Sequence, residues 1–571
     1  MSSAEKMLQF NKQKNQFSFI NWRFLVLCSY IFLSLTALLL RIAWLQIINN
    51  DKLIKEADLR SLRVQSIPTA RGMINDRSGR PLAVSVPFNA IWVDTKELYN
   101  HKSFSLKNHW KALSNILSIP IHQLRIHINM NPKRRFVYLA RQVNPAIGEY
   151  IKKLNIPGVY LREESRRYYP SSHVTAHIIG FTNIDSQGLE GIEKSFNKWL
   201  TGKPGKRIVR KDLYGHVIEN IASVDSHTAY NLTLSIDGRL QVLVNRELNN
   251  ATNFNKAESG VAILVDVNTG EILALANSPS YNPNNLINTP NYIIRNRAIT
   301  DSFEPGSTVK PMVIMTALQH GIIKENSILD TTPYYIDGHK IKDIVNYKSL
   351  TLTEILQKSS NVGVSRLALS MPPSALLNTY ANFGLGKLTN IGLTGESKGL
   401  YPKKLRWSNL ERATFSFGYG LMVTPLQLAR VYATIGSYGL TYPMSIIKVD
   451  SPVLGKRVFP ENIVKTVIHM MESVALPGGG GIKASVKGYR IAIKTGTAKK
   501  VNSKGHYINK YIAYTAGIAP VSHPRFALVV VINNPQAGKY YGGTVSAPVF
   551  SAIMGKVLRT MNIAPDALPL L

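Results

Sequence analysis

Cysteine is almost absent from this chain: Cys28 is the only one in 571 residues. No intramolecular disulfide and no cysteine-based metal site is therefore available. Histidine never falls into an H-E-x-x-H pattern, and the glycine run Pro477-Gly478-Gly479-Gly480-Gly481 lacks the Lys-Ser/Thr of a phosphate-binding loop, so it reads as a flexible loop. Neither a metal nor an organic cofactor is expected. Acidic residues are scarce: 34 Asp and Glu face 68 Lys and Arg, a formal net charge of +34. An excess of that size invites a nucleic-acid partner, but no helix-turn-helix, zinc-finger or RNA-binding signature accompanies it. The basic residues are also spread along the chain. The charge suits an anionic environment such as a cell envelope, or a solvated surface, and no nucleic-acid partner is expected. Disorder is excluded too, because 45% of residues are hydrophobic and 18% charged. The length predicts two or more domains.

Residues 1–23 are polar and basic, with Lys6, Lys12, Lys14 and Arg23 against Glu5. Phe24–Leu40 is a run of 17 residues without a charge, about 26 Å of helix against a hydrocarbon core of roughly 30 Å. Apolar residues resume after Arg41, from Ile42 to Ile48. Arg41 can snorkel and Trp44 suits an interface. A buried helix of a soluble protein is the other reading, but the basic flank and the length favour a membrane span over 24–48. No small-x-small cleavage site follows, so the segment reads as an uncleaved signal anchor. The positive-inside rule puts residues 1–23 in the cytoplasm and everything after about residue 50 outside.

Residues 49–230 carry no nucleophile-plus-base pattern and read as a structural domain. Arg71-Gly72-Met73-Ile74-Asn75-Asp76-Arg77-Ser78-Gly79-Arg80-Pro81-Leu82-Ala83 is predicted as an extended segment broken by an Asp/Gly turn, and His173 and His177 as packing or surface residues. A linker is expected over 231–257. From residue 258 the texture changes. Val261–Val267 and Ile272–Ala276 predict a hairpin of buried strands, Leu426–Tyr438 a helix, and Arg490–Ala498, Tyr511–Ala519 and Phe526–Ile532 three more strands. Hairpin, helices, then strands imply an α+β domain over 258–571, an antiparallel sheet with helices on its faces.

Within that domain stands Glu304-Pro305-Gly306-Ser307-Thr308-Val309-Lys310-Pro311-Met312. Pro305-Gly306 signals a turn and a helical apolar run follows, which places Ser307 at a helix N-terminus and Lys310 one turn on. A serine there has backbone N–H groups at hand for developing negative charge, and a lysine three residues on can serve as its base. Alone, the pair reads as a helix-capping serine and a solvated lysine. Ser359-Ser360-Asn361 and Lys494-Thr495-Gly496-Thr497 follow in order, and Ser-x-x-Lys, Ser-x-Asn, Lys-Thr-Gly is the signature set of penicillin-binding proteins and serine β-lactamases.

With these motifs the chain resembles the class B penicillin-binding proteins, specifically the septal cell-division transpeptidases of Gram-negative bacteria. Asn296–Asp301, Lys358–Ser365, Phe415–Pro425 and Ala492–Lys500 are similar to that family, and Arg71–Ala83 is similar to the first motif of its non-catalytic pedestal. The resemblance implies a serine β-lactamase-like catalytic domain on an elongated pedestal behind one membrane helix. It also implies a peptidoglycan D,D-transpeptidase inhibited by β-lactams. Ser307 would attack the D-alanyl-D-alanine bond of a donor stem peptide, and the diaminopimelate amine of a neighbouring stem would resolve the acyl-enzyme. Ser359 and Asn361 would relay a proton and hold the donor amide. Lys494, Thr495 and Thr497 would receive the terminal carboxylate, with Gly496 allowing close approach. Backbone N–H groups of Ser307 and Thr497 would form the oxyanion hole. Tyr540-Tyr541 would line the pocket, although ordinary core tyrosines fit as well. For Lys310 to be a base its pKa must be lowered, by burial and by a cation such as Lys494. The implied location is the inner membrane, with the catalytic domain periplasmic. The implied partners are an FtsW-type glycan polymerase and other division proteins. A hydrolase on the same core, and a scaffold whose serine is vestigial, are the competing readings.

Overall fold

The computed structural model describes residues 3–67, 69–130, 135–202, 205–212, 217–224, 229–404, 406–501 and 505–567. Contacts divide the chain into two units, Met1–Thr69 with Lys203–His227, and Ala70–Gly202 with Thr228–Leu571.

The first unit is led by a helix over Ser3–Ala43 that runs on through a wider turn at Trp44–Ile48 and is followed by Asn50–Ser61. Trp22–Ile48 is long and apolar enough to cross a membrane and buries none of its length against protein. A helix apolar all round and covered by nothing is stable with hydrocarbon about it, not water. Strand Leu62–Ile67 pairs antiparallel with Gly205–Lys211, which pairs in turn with Val217–Val224.

In the second unit, Arg71–Ala83 is extended and broken as its Asp and Gly predict. Ile74–Asn75 and Pro81–Val93 pair across a turn whose Asp76 carboxylate accepts the N–H groups of Ser78 and Arg80, each at 2.8 Å. Pro81–Val93 is flanked by Val137–Val143 and Val159–Tyr168, both antiparallel. The pedestal is tied internally by a buried ionic cluster. Glu193, with no exposed surface, receives Arg71 Nε at 2.5 Å and Arg167 Nε at 2.6 Å. Of the packing and surface roles open to it, His177 takes the packing one: it is buried, with Nε2 2.8 Å from the Ile293 carbonyl oxygen, and burial lowers its pKa to about 4.

Residues 231–257, expected as a linker, are ordered structure. Leu232–Thr233 pairs parallel with Ile74–Asn75, and Gly238–Phe254 is a helix (α1) capped by the Asp237 carboxylate. Leu240, Val244 and Leu248 recur on one face at helical spacing and are wholly buried. Gln241 and Asn245 are buried beside them, the Gln241 amide donating to the Val174 and Leu275 carbonyls at 2.8 and 2.9 Å, while Arg246 stays exposed.

The sheet of the C-terminal domain contains β1 (Ser259–Asp266), β2 (Ile272–Ser278), β3 (Ala492–Val501), β4 (Tyr507–Ala519) and β5 (Phe526–Asn533), in the order β2-β1-β5-β4-β3, antiparallel throughout. Every residue of β1 and β2 is buried, because helices cover both faces, so these strands read as unbroken apolar runs instead of alternating. Helix α1 packs on β1 and β2. Further along the chain come α2 (Lys310–Gln319), α3 (Leu352–Lys358), α4 (Asn361–Ser370), α5 (Pro425–Gly436) and α6 (Gly542–Thr560). Helix α6 lies on β4 and β5 beside α1, and α5 packs on β1, β4 and β5. Helix α5 starts with a capping box in which Thr424 and Gln427 satisfy each other's backbone N–H groups. Strand β3 lies at the sheet edge, with outward backbone groups left unpaired by β4.

Candidate active site

Three chain segments converge at the β3 edge. The first is a 3-10 turn, Gly306–Val309, running directly into α2. It carries Ser307 at the helix start and Lys310 at the first position of α2, as the turn signal and apolar spacing predict. Gly306 has φ +49°, and a Cβ there would lie 2.4 Å from the Tyr514 hydroxyl; a Cβ on Gly418 would lie 2.2 Å from the Gly306 carbonyl. The Ser307 turn is thus wedged between β4 and the Gly418 loop, and only glycine fits at both contacts. Tyr514 Oη donates to the Glu304 carbonyl at 2.9 Å and fixes the approach to the turn.

The second segment is the junction of α3 and α4. Ser359 ends α3 in the left-handed region at φ +59°, a conformation that costs a non-glycine residue on the order of 1–3 kcal/mol and is retained where surrounding structure imposes it. Ser360 caps α4 by accepting from the Gly363 N–H at 2.9 Å. Asp343 is anchored opposite. Its carboxylate accepts the Ser360 hydroxyl and the Asn361 N–H, each at 2.5 Å, and the Val362 N–H at 3.0 Å. Asp343 therefore holds the Ser-x-Asn motif in place, and nothing in its sequence neighbourhood, Lys340-Ile341-Lys342-Asp343, marks it out. Tyr514 and the Gly306–Gly418 contact are likewise tertiary facts without a local signal.

The third segment is β3, bringing Lys494-Thr495-Gly496-Thr497. Gly496 is demanded by packing, since a Cβ would lie 2.0 Å from the Tyr514 ring.

The side chains meet at Ser359. Its Oγ lies 3.0 Å from Ser307 Oγ, and it accepts from Lys494 Nζ at 3.0 Å and from Lys310 Nζ at 3.2 Å. Lys310 Nζ also donates to the Ser359 carbonyl at 2.6 Å and to Asn361 Oδ1 at 2.7 Å, and Lys494 Nζ to the Thr495 carbonyl at 3.1 Å. Sequence spacing predicts a direct Ser307–Lys310 pair; the fold sets the Ser359 hydroxyl between Ser307 and both lysines. Both lysines are wholly buried. Burial, reinforced by the neighbouring Lys494, drives the pKa of Lys310 well below the ordinary value, with Asp343 opposing; burial pushes Lys494 down to about 7. An amine in this state accepts a proton near neutral pH, as an ordinary lysine does not.

Thr497 faces the start of α6, where its Oγ1 accepts from the Gly542 N–H at 2.9 Å. Tyr540 and Tyr541 immediately precede that helix. They are not core residues: Tyr541 is 47% exposed, and the Tyr540 ring stacks on Tyr511 at 4.1 Å between centroids. The structure thus gathers Ser307, Lys310, Ser359, Asn361 and Lys494 into one hydrogen-bonded cluster, and joins Thr497 to the tyrosine pair through Gly542. Among the described residues, no group of three His, Cys, Asp or Glu is placed to hold a metal ion.

Comparison with known proteins agrees with this geometry. The penicillin binding protein transpeptidase domain matches residues 260–555 and the penicillin-binding protein dimerisation domain residues 66–234. The chain is 71% identical over 568 residues to the peptidoglycan D,D-transpeptidase FtsI of Escherichia coli (strain K12), covering 100% of this chain and 97% of that one. It is 59% identical over 557 residues to the FtsI of Buchnera aphidicola subsp. Schizaphis graminum, covering 98% of each. Among solved structures, a peptidoglycan synthetase from Bifidobacterium adolescentis superposes with a TM-score of 0.72 at 26% identity, over 89% of this chain and 98% of that one. With a dimerisation domain leading into a transpeptidase domain, and full-length identity of this order, the chain belongs to the FtsI family of class B penicillin-binding proteins.

Proposed function

We propose that the chain is a septal peptidoglycan D,D-transpeptidase working through an acyl-serine. The observation that carries this reading is the Ser307–Ser359–Lys310/Lys494 cluster, a weak nucleophile joined by one hydroxyl to two buried amines of lowered pKa. Ser307 Oγ attacks the carbonyl of the donor's D-alanyl-D-alanine bond. Its proton passes through Ser359 Oγ to neutral Lys310, a general-base transfer. The tetrahedral oxyanion is received by the N–H groups of Ser307 and Thr497 at the helix start and the sheet edge. Protonated Lys310 returns the proton by the same route to the leaving D-alanine nitrogen. The amine of an acceptor stem, diaminopimelate in Gram-negative walls, then gives up a proton and attacks the ester carbonyl, which forms the cross-link and frees Ser307. Asn361 orients the donor amide, and Lys494 with Thr495 and Thr497 holds the terminal carboxylate beside Gly496. Tyr540 and Tyr541 wall the cleft. A β-lactam occupies the donor's place and, having no separate leaving group, stays attached.

The apolar Trp22–Ile48 helix supports attachment to a membrane. In this reading the membrane is the inner one, residues 1–23 are cytoplasmic, the catalytic domain over 258–571 is periplasmic, and the helix and pedestal meet an FtsW-type polymerase and other division proteins. The test is to incubate the chain with labelled benzylpenicillin and locate the adduct by mass spectrometry. A slowly hydrolysed adduct on Ser307, absent in Ser307→Ala, is expected. Rapid release of opened drug marks a hydrolase, and absence of any adduct on folded protein leaves a scaffold.

A further inference from the structure

Beside the Ser307 turn stands a carboxylate to which the proton relay gives no role. Glu304, three residues before Ser307, is half-buried. Its oxygens accept from the Tyr507 hydroxyl at 3.0 and 3.2 Å and from the Gly420 N–H at 3.3 Å. Two donor groups for about four acceptor positions leave the carboxylate unfilled. In a chain with 68 basic and 34 acidic residues, no lysine or arginine among the described residues forms an ion pair with it. Its charge falls instead on Tyr419 and Tyr507, whose pKa values are raised by burial first and by Glu304 next. The place is open to solvent, since Tyr507 is 52% exposed and Gly420 lies at the surface. The Tyr419 and Tyr507 rings meet edge to face, 6.3 Å between centroids. A carboxylate short of donors beside two tyrosine rings is complementary to an ammonium group.

Position along the sheet edge says whose ammonium this is. On β3, Lys494 stands on one side of Thr497, and Val501, paired with Tyr507, stands on the other, about 13 Å further on. An extended peptide lying beside β3 with its terminal carboxylate at Lys494 therefore sends its upstream residue toward Tyr507. Donor and acceptor are stems of one wall, so the donor brings its own copy of the diamino acid whose amine the acceptor uses for attack. The geometry points to Glu304 as the binding residue for the side-chain ammonium of the donor stem's diamino acid, with Tyr419 and Tyr507 beside it. This inference rests on the transpeptidase reading. Paired with Glu304 the amine stays protonated, and the donor cannot attack its own ester.

The full chain in detergent is given two donor thioesters, Nα-acetyl-L-lysyl-D-alanyl-thioglycolate and its Nε-acetyl counterpart. In each, Ser307 Oγ forms the ester, the C–S bond breaks and thioglycolate leaves with the proton; its release gives kcat/KM. The wild type takes the free-amine donor about tenfold more efficiently, as one charge-assisted contact requires. In Glu304→Gln the ratio of the two donors falls to about one. The penicillin adduct on Ser307, read separately, shows that the variant is folded. A ratio near one in the wild type, which needs no variant, overturns the proposal. So does a ratio that survives in Glu304→Gln while both donors slow alike, the mark of a purely structural glutamate. Absence of Ser307 acylation by penicillin and by both thioesters instead removes the transpeptidase reading, and the proposal with it.

Discussion

Lys310 and Lys494 end on the same hydroxyl, that of Ser359, at 3.2 and 3.0 Å, and neither side chain reaches solvent. Two ammonium groups in one dry site repel each other and lack hydration, so the pair sheds a proton far below the usual lysine range and titrates as a unit. In the proposed mechanism this lowering gives the Ser307 hydroxyl a base.

Acylation by penicillin should therefore rise with pH along an acidic limb set by the lysine pair, since only the neutral amine accepts the Ser307 proton. Lys494→Ala removes the cation that helps lower Lys310 and moves this limb to higher pH. Asp343→Asn removes the carboxylate that opposes the lowering and moves it to lower pH. Stopped-flow acylation rates across pH 5–10 for the three proteins decide this, and shifts of the same sign in both variants would refute it.

Stability follows from the same burial. The pKa of Lys494 is about 7 in the fold against 10.5 ordinarily. Between these values the unfolded chain binds more protons than the native one, so stability climbs as pH rises from about 7 toward 10.5 and levels beyond. Thermal unfolding should show Tm rising from pH 7 to pH 9.5, with a shallower rise in Lys494→Met. A slope equal in the two proteins would contradict the burial argument.

Ser359→Ala breaks the bridge between Ser307 and both lysines. The acylation rate constant should fall by about 10²–10⁴, the usual share of general acid–base transfer, while the pre-covalent affinity for penicillin changes little because no carboxylate contact is lost. Kinetic separation of the two constants measures this; an unchanged rate would return the base role to a direct Ser307–Lys310 contact.

Glu193→Gln leaves Arg71 and Arg167 buried without their shared counter-charge. Removing one partner of such a cluster costs about 3–5 kcal/mol, visible as a lower midpoint in denaturant unfolding followed by a probe in residues 70–202. A shift below about 1 kcal/mol would show that water relieves the cluster.

Much of the catalytic domain could be read directly. The strands over 261–267 and 272–276, the three C-terminal strands, the helix after Pro305-Gly306 and Lys494 within a strand all follow from apolar runs and turn residues, which act locally. The stretch 231–257 is a helix and a short strand where a linker is expected, because its apolar residues are interleaved with polar ones and its helical face is set by packing on the sheet.

The amino-acid sequence by itself marked Ser307, Lys310, Ser359, Asn361 and Lys494, the residues that meet in one hydrogen-bonded cluster, and an apolar helix ahead of the body of the chain. The tertiary structure decided how they are wired. It set Ser359 between nucleophile and lysines, put Asp343 under the Ser-x-Asn motif and pressed Gly306 against Tyr514 and Gly418. The reason is physical: hydrogen-bond partners, burial and the pKa values that depend on them arise between segments far apart in the chain, where spacing along the sequence carries no information.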